Sequence, residues 1–529
     1  MAAAVPKVPA EHGPPSHKWL ITLAVMLGCA LEVLDTTIVN VALPHMQGSF
    51  SASVDEIAWV LTSYLVANGI MIPMTGWISS RFGRKRYFLT SVLVFVGASA
   101  LCGAARSLSQ MVVFRLLQGA AGAAMIPSSQ AIMMESFPPQ EQQMAMAMWG
   151  MGLMVAPIAG PTLGGWITDN LNWRWNFYIN VPIGAIAFLM VSAFVHDPPY
   201  LRERRQRGGK VDYTGIILLV LSLGLMQIVL DRGQRADWFA SRWVVWTTIA
   251  SAVFTILLVW RELDFSEPII DLRLFKQSGL TLSVILVVAM SFTLYGTGLL
   301  NPLFLQESMG YNAMKAGLVL APRGLGTMFS MMTVGALARR GFDTRSFVGF
   351  GYLLMAIGLW NMSLWNLDVS IWTVMWPGII VGLGMGLIFP TLSATALSSA
   401  PRERIGYAAS LYNMMRNTGA AIGISYLTTM LVDREQIHQS YLVEHLSVFD
   451  AWRLSSNPAQ LPGAGGFNYL PELITGQKQG IFRLYSMVQG QAAMLSFNDI
   501  YRMLAIIMLI LVPGFILLRR SGGSSAAAH

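Results

Sequence analysis

The sequence predicts an all-α polytopic membrane protein. Three observations predict it. Hydrophobic residues make up 54% of the chain and charged residues only 12%, against about 25% charged in an ordinary soluble domain. The apolar residues come in runs of about twenty, the length a helix needs to cross a bilayer and far longer than a barrel strand. The bases collect in the short intervals between those runs, so a net charge of +8 reads as membrane topology and not as a nucleic-acid surface.

Fourteen apolar segments can be placed in order: 19–44, 57–78, 87–105, 110–134, 142–168, 177–195, 213–231, 242–261, 279–306, 312–338, 346–364, 371–396, 405–430 and 500–518. Residues 1–18 are polar, carry prolines and lack a small-residue cleavage site, so they are expected to form a cytoplasmic tail before an uncleaved first span. An even count puts both termini on one side. Arg81, Arg84, Lys85 and Arg86 follow the second span; Arg202, Arg204, Arg205, Arg207 and Lys210 follow the sixth; Arg339, Arg340, Arg345, Arg402, Arg404, Arg519 and Arg520 fall on the same face. The positive-inside rule makes that face, and both termini, cytoplasmic. One external loop, 432–499, is long and has a Pro/Gly/Asn stretch over Asn457–Tyr469; it reads either as a spacer or as a docking surface. Cys29 and Cys102 both lie in apolar segments and are expected to be buried free thiols.

Asp35 is the costliest residue in this pattern. It stands in the first apolar segment, where an ionised carboxylate costs roughly 2.5–3.5 kcal/mol on insertion scales. Glu32 lies three residues earlier, on the same side of a helix, and two neighbouring carboxylates in low dielectric resist simultaneous ionisation. Such a pair suits proton capture and release. Glu32, Thr36 and Asn40 recur every fourth residue and form a polar stripe beside Asp35. Glu32 is open to two readings, a ligand for a proton or cationic substrate, or a hydrogen-bonding wall residue. Arg115, in the fourth segment, cannot shed its proton and needs an anion or water. A guanidinium that approaches and leaves Asp35 would switch it between proton release and capture; the alternative is a structural or snorkelling ion pair.

A faint internal repeat relates the halves: Gly76, Arg81 and Arg86 after the second segment match Gly335, Arg340 and Arg345 after the tenth at constant offset. Two related halves around a midplane cavity are a common transporter plan. With the stretches Leu34–Pro44, Gly76–Arg86, Arg115–Gly119, Ala156–Gly165, Trp173–Trp175, Asn180–Gly184, Leu230–Gly233 and Asn413–Asn417, the chain resembles the major facilitator superfamily and, within it, the fourteen-span drug:proton antiporters of the EmrB/QacA type.

The resemblance implies a major facilitator fold: a six-helix bundle over 19–195, two inserted spans over 196–278, a second bundle over 279–518 and a cytoplasmic tail at 519–529. It implies efflux of lipophilic compounds by alternating access across a bacterial inner membrane, driven by the proton gradient with no cofactor or metal, and, as in EmrB-type systems, a periplasmic adaptor protein and an outer-membrane channel as partners. Asp35, Glu32 and Arg115 become the coupling residues. Gly76, Arg81, Gly83 and Arg84 become a gating loop in which Gly83 takes positive φ; the superfamily has an acid where this chain has Ser80. Pro157, Gly160, Pro161, Gly164 and Gly165 become a hinge of kinks and close helix approach. The cavity is expected to draw on Thr36, Asn40, Tyr64, Asn68, Gln118, Tyr295, Asn301, Glu307, Arg323, Tyr412, Asn413 and Arg416. Arg323 and Arg416 are either paired with acids such as Glu307, or the substrates include anionic or neutral compounds.

No catalytic reading survives: the chain has no Walker-A loop, no H-E-x-x-H, no G-x-S-x-G elbow and no Cys/His metal spacing, so it is not expected to be an enzyme. The rival functions are a dedicated exporter of one metabolite or siderophore on the same fold, and a sensor or channel.

Overall fold

The computed structural model describes residues 17–198, 200–201, 211–265, 267–340, 342–446 and 475–518. The loop bases Arg202 to Lys210, Arg519 and Arg520, the two tails apart from His17 and Lys18, and the Asn457–Tyr469 stretch lie outside the described residues. The principal helices are α1 (Lys18–Phe50), α2 (Trp59–Met71), α3 (Thr75–Phe82), α4 (Arg84–Ala104), α5 (Leu108–Gly122), α6 (Met125–Ser136), α7 (Gln142–Asn170), α8 (Asn180–Phe194), α9 (Tyr213–Arg232), α10 (Arg242–Asp264), α11 (Ser278–Leu303), α12 (Ala313–Arg339), α13 (Arg345–Met362), α14 (Ile371–Ser398), α15 (Ile405–Glu444) and α16 (Thr475–Leu511). No strand occurs among the described residues. Ten helical stretches are long and apolar enough to cross a membrane.

Local chemistry sets several helix starts. Ser107, Asp212, Asn312 and Ser370 each accept the backbone N–H three residues on, at the heads of α5, α9, α12 and α14. Pro73 falls in a 3₁₀ turn that separates α2 from α3, so the second apolar segment is two short helices and not one span-length rod.

The internal repeat is expressed in packing. In the first half α1 packs on α7, α2 on α5, and α4 on α5 and α8; in the second half α11 packs on α15, α12 on α14, and α13 on α14 and α16. The halves meet along two seams, α7 against α12 and α14, and α3 and α6 against α15. The inserted hairpin α9–α10 lies over the second seam, with α9 touching both α2 and α15. Thr62 donates to Asp231 at 2.7 Å on one side, and the Trp238 indole donates to Thr429 at 2.9 Å on the other.

Two boundaries differ from the sequence reading. The long external loop expected over 432–499 is helical at both ends, because α15 runs on to Glu444 and α16 starts at Thr475 instead of 500. The added turns hold charged and amide side chains such as Asp433, Arg434, Glu435 and Gln436, which lowers hydropathy without lowering helix propensity. His438 and Arg434 from α15 reach Asp499 of α16 at 2.9 and 3.7 Å and tie the extensions together.

The end of the bundle carrying Gly76–Arg86 is closed. A Cβ on Gly76 would lie 2.7 Å from the Tyr407 Cα and 2.9 Å from the Gly406 carbonyl, so the close approach of α3 and α15 requires glycine here. Ser80 and Tyr407 hydroxyls meet at 3.1 Å, Ser410 donates to the Pro73 carbonyl at 2.7 Å, Gln143 donates to Thr344 at 2.7 Å, and Trp149 stacks on Phe389. A side chain at 76 is therefore expected to hold this end open. In a Ser80→Cys/Tyr407→Cys background, cross-linking by a short bis-maleimide should fall several-fold when Gly76→Leu is added; an unchanged yield would show that closure tolerates the side chain. Cys29 and Cys102 are buried and free, so they add little background.

Candidate functional site

The site is built where α1, α2, α5 and α8 converge. Asp35 and Arg115 are both fully buried. The Arg115 Nη1 donates to Asp35 Oδ2 at 2.5 Å, and its Nε donates to the Val60 carbonyl at 3.1 Å. Gln118, one turn after Arg115, donates to Asp35 Oδ1 at 2.8 Å and accepts from Arg115 Nη1 at 2.9 Å. Asn180, the first residue of α8, also donates to Asp35 Oδ1 at 2.9 Å, and to Ser99 of α4 at 3.0 Å. The guanidinium lies 4.2 Å from the centre of the Tyr64 ring, a cation–π contact strengthened by the dry surroundings. A buried carboxylate is tolerated when it is paired and its oxygens accept hydrogen bonds, and this one has a charged partner and two amide donors.

Small residues make the convergence possible. A Cβ on Gly119 would stand 2.3 Å from the Tyr64 carbonyl, so only glycine lets α5 press onto α2 one turn from Arg115. On the other side of α1, a Cβ on Gly160 would stand 2.1 Å from Thr37 Oγ1, and one on Gly164 would stand 3.1 Å from the Ile38 Cα. The prolines Pro157 and Pro161 lie within one continuous α7. The glycines of this motif, with Gly165 near Val41, hold α7 against α1 at the level of Asp35.

Glu32 does not share Asp35's partners. It accepts from Asn68 of α2 at 2.9 Å, and Asn68 in turn accepts from Asn417 of α15 at 3.4 Å. Arg416, from the same turn of α15, lies within electrostatic reach of Glu32. Asn413, one turn earlier, donates to Gln130 of α6 at 2.5 Å. Asp35 thus belongs to a network inside the first half, whereas Glu32 belongs to one that crosses the seam. The stripe beyond Glu32 opens progressively, with Thr36 half-buried and Asn40 exposed, away from the closed end.

The gating loop has Gly83 at φ +93°, the conformation expected of it. Its acid comes from elsewhere: Arg84 pairs with Glu135 at the end of α6, and Tyr200 donates to the same carboxylate. Asp197, after α8, accepts from the Lys85 backbone N–H at 2.7 Å and would collide with a Cβ on Gly83. Arg81 lies 5.8 Å from the Trp77 ring centre. Glu135, Asp197 and Asn180 were not singled out as site residues in the sequence; only Asn180 stood in a recognisable motif.

The expected pairing of Glu307 with Arg323 or Arg416 is not made. Glu307 is exposed on a π-helical turn, Phe304–Ser308, after α11, and pairs with neither Arg323 nor Arg416. Tyr295 is 41% exposed and lies on the face of α11 opposite Thr297. The wider helical turn at the end of α11 carries Glu307 off the inward face. Tyr412 is buried, as is Asn301, which accepts from the Tyr501 hydroxyl at 2.7 Å. Arg323 donates to Thr297 at 3.1 Å.

The family model of the Major Facilitator Superfamily matches residues 25–424. The chain is 35% identical over 516 residues to the multidrug export protein EmrB of Escherichia coli (strain K12), covering 96% of this chain and 98% of that protein. It is 37% identical to the multidrug export protein EmrB of Haemophilus influenzae, over 82% of this chain and 84% of that one. Among solved structures it resembles the proton:xylose symporter XylE bound to 6-bromo-6-deoxy-D-glucose, with a TM-score of 0.59 at 15% identity over 94% of this chain and 96% of that one. The chain belongs to the Major Facilitator Superfamily, and within it to the EmrB-like proteins.

Removing one charge of the central pair strands the other. Arg115→Gln should cost about 3–5 kcal/mol by leaving Asp35 with neutral donors alone, and Asp35→Asn added to it should recover most of that loss. Thermal unfolding of both variants in detergent checks this; a double variant no more stable than Arg115→Gln would contradict the pairing.

Proposed function

We propose that this protein is a multidrug efflux antiporter of a bacterial inner membrane that exports lipophilic compounds by alternating access in exchange for protons. The observation that carries the reading is the fully buried Asp35–Arg115 pair on α1 and α5. Its electrostatic strength depends on helix separation, and so on the state of the transporter. With Arg115 at 2.5 Å the carboxylate has its counter-charge in place; a shift of α5 relative to α1 takes that counter-charge away. The relatives named multidrug export protein support the substrate class, and no cofactor is required, because the proton gradient supplies the energy.

The closed end corresponds to the cytoplasmic side in the positive-inside reading, with both termini on that side. The loop Gly76–Arg86, clamped through Arg84–Glu135 and Asp197, is its latch, and the packing of α7 on α1 carries motion to Asp35. Glu32, Asn68, Asn417 and Arg416 form the polar floor of the substrate cavity, together with Tyr64, Gln130, Tyr412 and Asn413. The interrupted helix pair α2–α3 and the helices α12, α13 and α15 complete fourteen spans with the ten apolar stretches. The long helical extensions of α15 and α16 offer a platform for a periplasmic adaptor leading to an outer-membrane channel.

Asp35→Asn is nearly isosteric and keeps one oxygen for Arg115, but it strands that charge, so its monodispersity in detergent is confirmed before transport is measured. In proteoliposomes with an imposed pH gradient, uphill movement of a fluorescent drug should fall to the protein-free background. Transport at the wild-type rate would remove Asp35 from the coupling.

A further inference from the structure

The middle of the bundle holds more guanidinium groups than carboxylates. Asp35 balances Arg115 at 2.5 Å, and Glu32 lies within electrostatic reach of Arg416. Arg323, on α12, has no such partner: among the described residues no carboxylate pairs with it, and the ionisable group acting on it is the Tyr501 phenol. Its one hydrogen bond is to Thr297 Oγ1 at 3.1 Å. An arginine cannot neutralise itself by losing a proton, and a guanidinium deep in a helix bundle requires an anion or water. Arg323 is half-buried where Asp35 and Arg115 are sealed.

A second observation points the same way. Thr293, Thr297 and Asn301 follow one another at four-residue spacing on a single face of α11 and are all buried. Tyr501 donates to Asn301 Oδ1 at 2.7 Å. That bond fixes the amide and leaves Nδ2, with only 2% of the residue exposed, without an acceptor. A buried N–H without a partner is costly and favours any ligand that supplies an acceptor. The backbone at Arg323 packs closely on α14, since a Cβ on Gly382 would stand 2.1 Å from the Arg323 carbonyl. A guanidinium without a carboxylate and an orphan amide donor one turn from its threonine partner complement an acceptor that bears negative charge.

We propose that Arg323 and Asn301 form an anion subsite in the second half of the cavity, which takes the acidic group of an amphiphilic organic anion such as an aryl sulfonate or carboxylate. This deepens the efflux reading and rests on it for its physiological meaning, but the binding can be measured without transport. Purified full-length protein in detergent is titrated calorimetrically with naphthalene-2-sulfonate and with trimethyl(2-naphthyl)ammonium, two ligands of one shape and opposite charge. The wild type should favour the sulfonate. Arg323→Gln should lower the sulfonate-to-ammonium affinity ratio at least tenfold. Asn301→Asp, which puts a carboxylate one turn from Thr297 on the same face of α11 with little change of volume, should do the same in a protein that remains monodisperse. An unchanged ratio in both variants overturns the subsite, as does a wild type that favours the ammonium. Displacement of the sulfonate by equimolar inorganic sulfate would overturn the amphiphilic class. A wild type that binds the sulfonate through Arg323 yet moves neither probe in proteoliposomes would leave the subsite standing and remove the efflux reading.

Discussion

The ion pair between Asp35 and Arg115 is the constraint around which the first half is organised. A carboxylate at the centre of a membrane helix is stable only while donors surround it, and the donors come from two other helices, Arg115 and Gln118 on α5 and Asn180 at the head of α8, with the Tyr64 ring of α2 beneath the guanidinium. Each contribution depends on close helix approach. Gly119 brings α5 onto α2; Gly160 and Gly164 bring α7 onto α1. Small residues near the charge therefore do in this protein what a hydrophobic core does in a soluble one. Lipid provides no hydrophobic drive between helices, so shape and polar pairing decide how they meet.

The same logic separates two tasks that the sequence places three residues apart. Asp35 is satisfied wholly within one half, so rocking the halves apart leaves its partners in place unless α5 or α8 shifts as well. Glu32 reaches the second half through Asn68 and Asn417. Its environment changes whenever the seam opens. A carboxylate bound inside one rigid body and another bound across the interface respond to different motions, which gives a transporter two independent points at which charge and conformation are linked.

Much of this was legible in the sequence, and the parts that were not share a cause. Asp35 and Arg115 stood out because isolated charges in apolar runs are expensive, and Gly83 because a basic turn needs a residue free to take positive φ. Asn180 and Glu135 were hidden, because an amide at a helix head and an acid near a loop carry no cost that a one-dimensional reading can see. The pairing of Glu307 was misplaced for a different reason: it stands on a π-helical turn after Leu303, which breaks the hundred-degree register of the preceding helix. The ends of α15 and α16 were missed because hydropathy reports the membrane and not the helix, and both helices continue past the apolar stretch. Ser80 was a visible departure whose compensation, Arg84 paired with a glutamate from α6, required the fold.

The charge ledger of the cavity bears on energetics. Exchange of one proton for a monovalent cation moves no net charge and draws only on the pH difference, about 1.4 kcal/mol per unit. Exchange of one proton for a singly charged anion carries two charges in the same electrical direction, and at roughly 2.3 kcal/mol per charge per 100 mV the membrane potential then dominates. On the proposed reading, one Asp35–Arg115 switch would serve both exchanges with one proton each, but against very different gradients. An interior with Glu32 within electrostatic reach of Arg416, and with no acid paired to Arg323 among the described residues, is suited to the second. Holding an anion at Arg323 neutralises the spare guanidinium before the halves close over it, so occupancy lowers the cost of the closed state. Substrate then favours the conformational change by completing the charge balance of the interior, without any direct contact with Asp35.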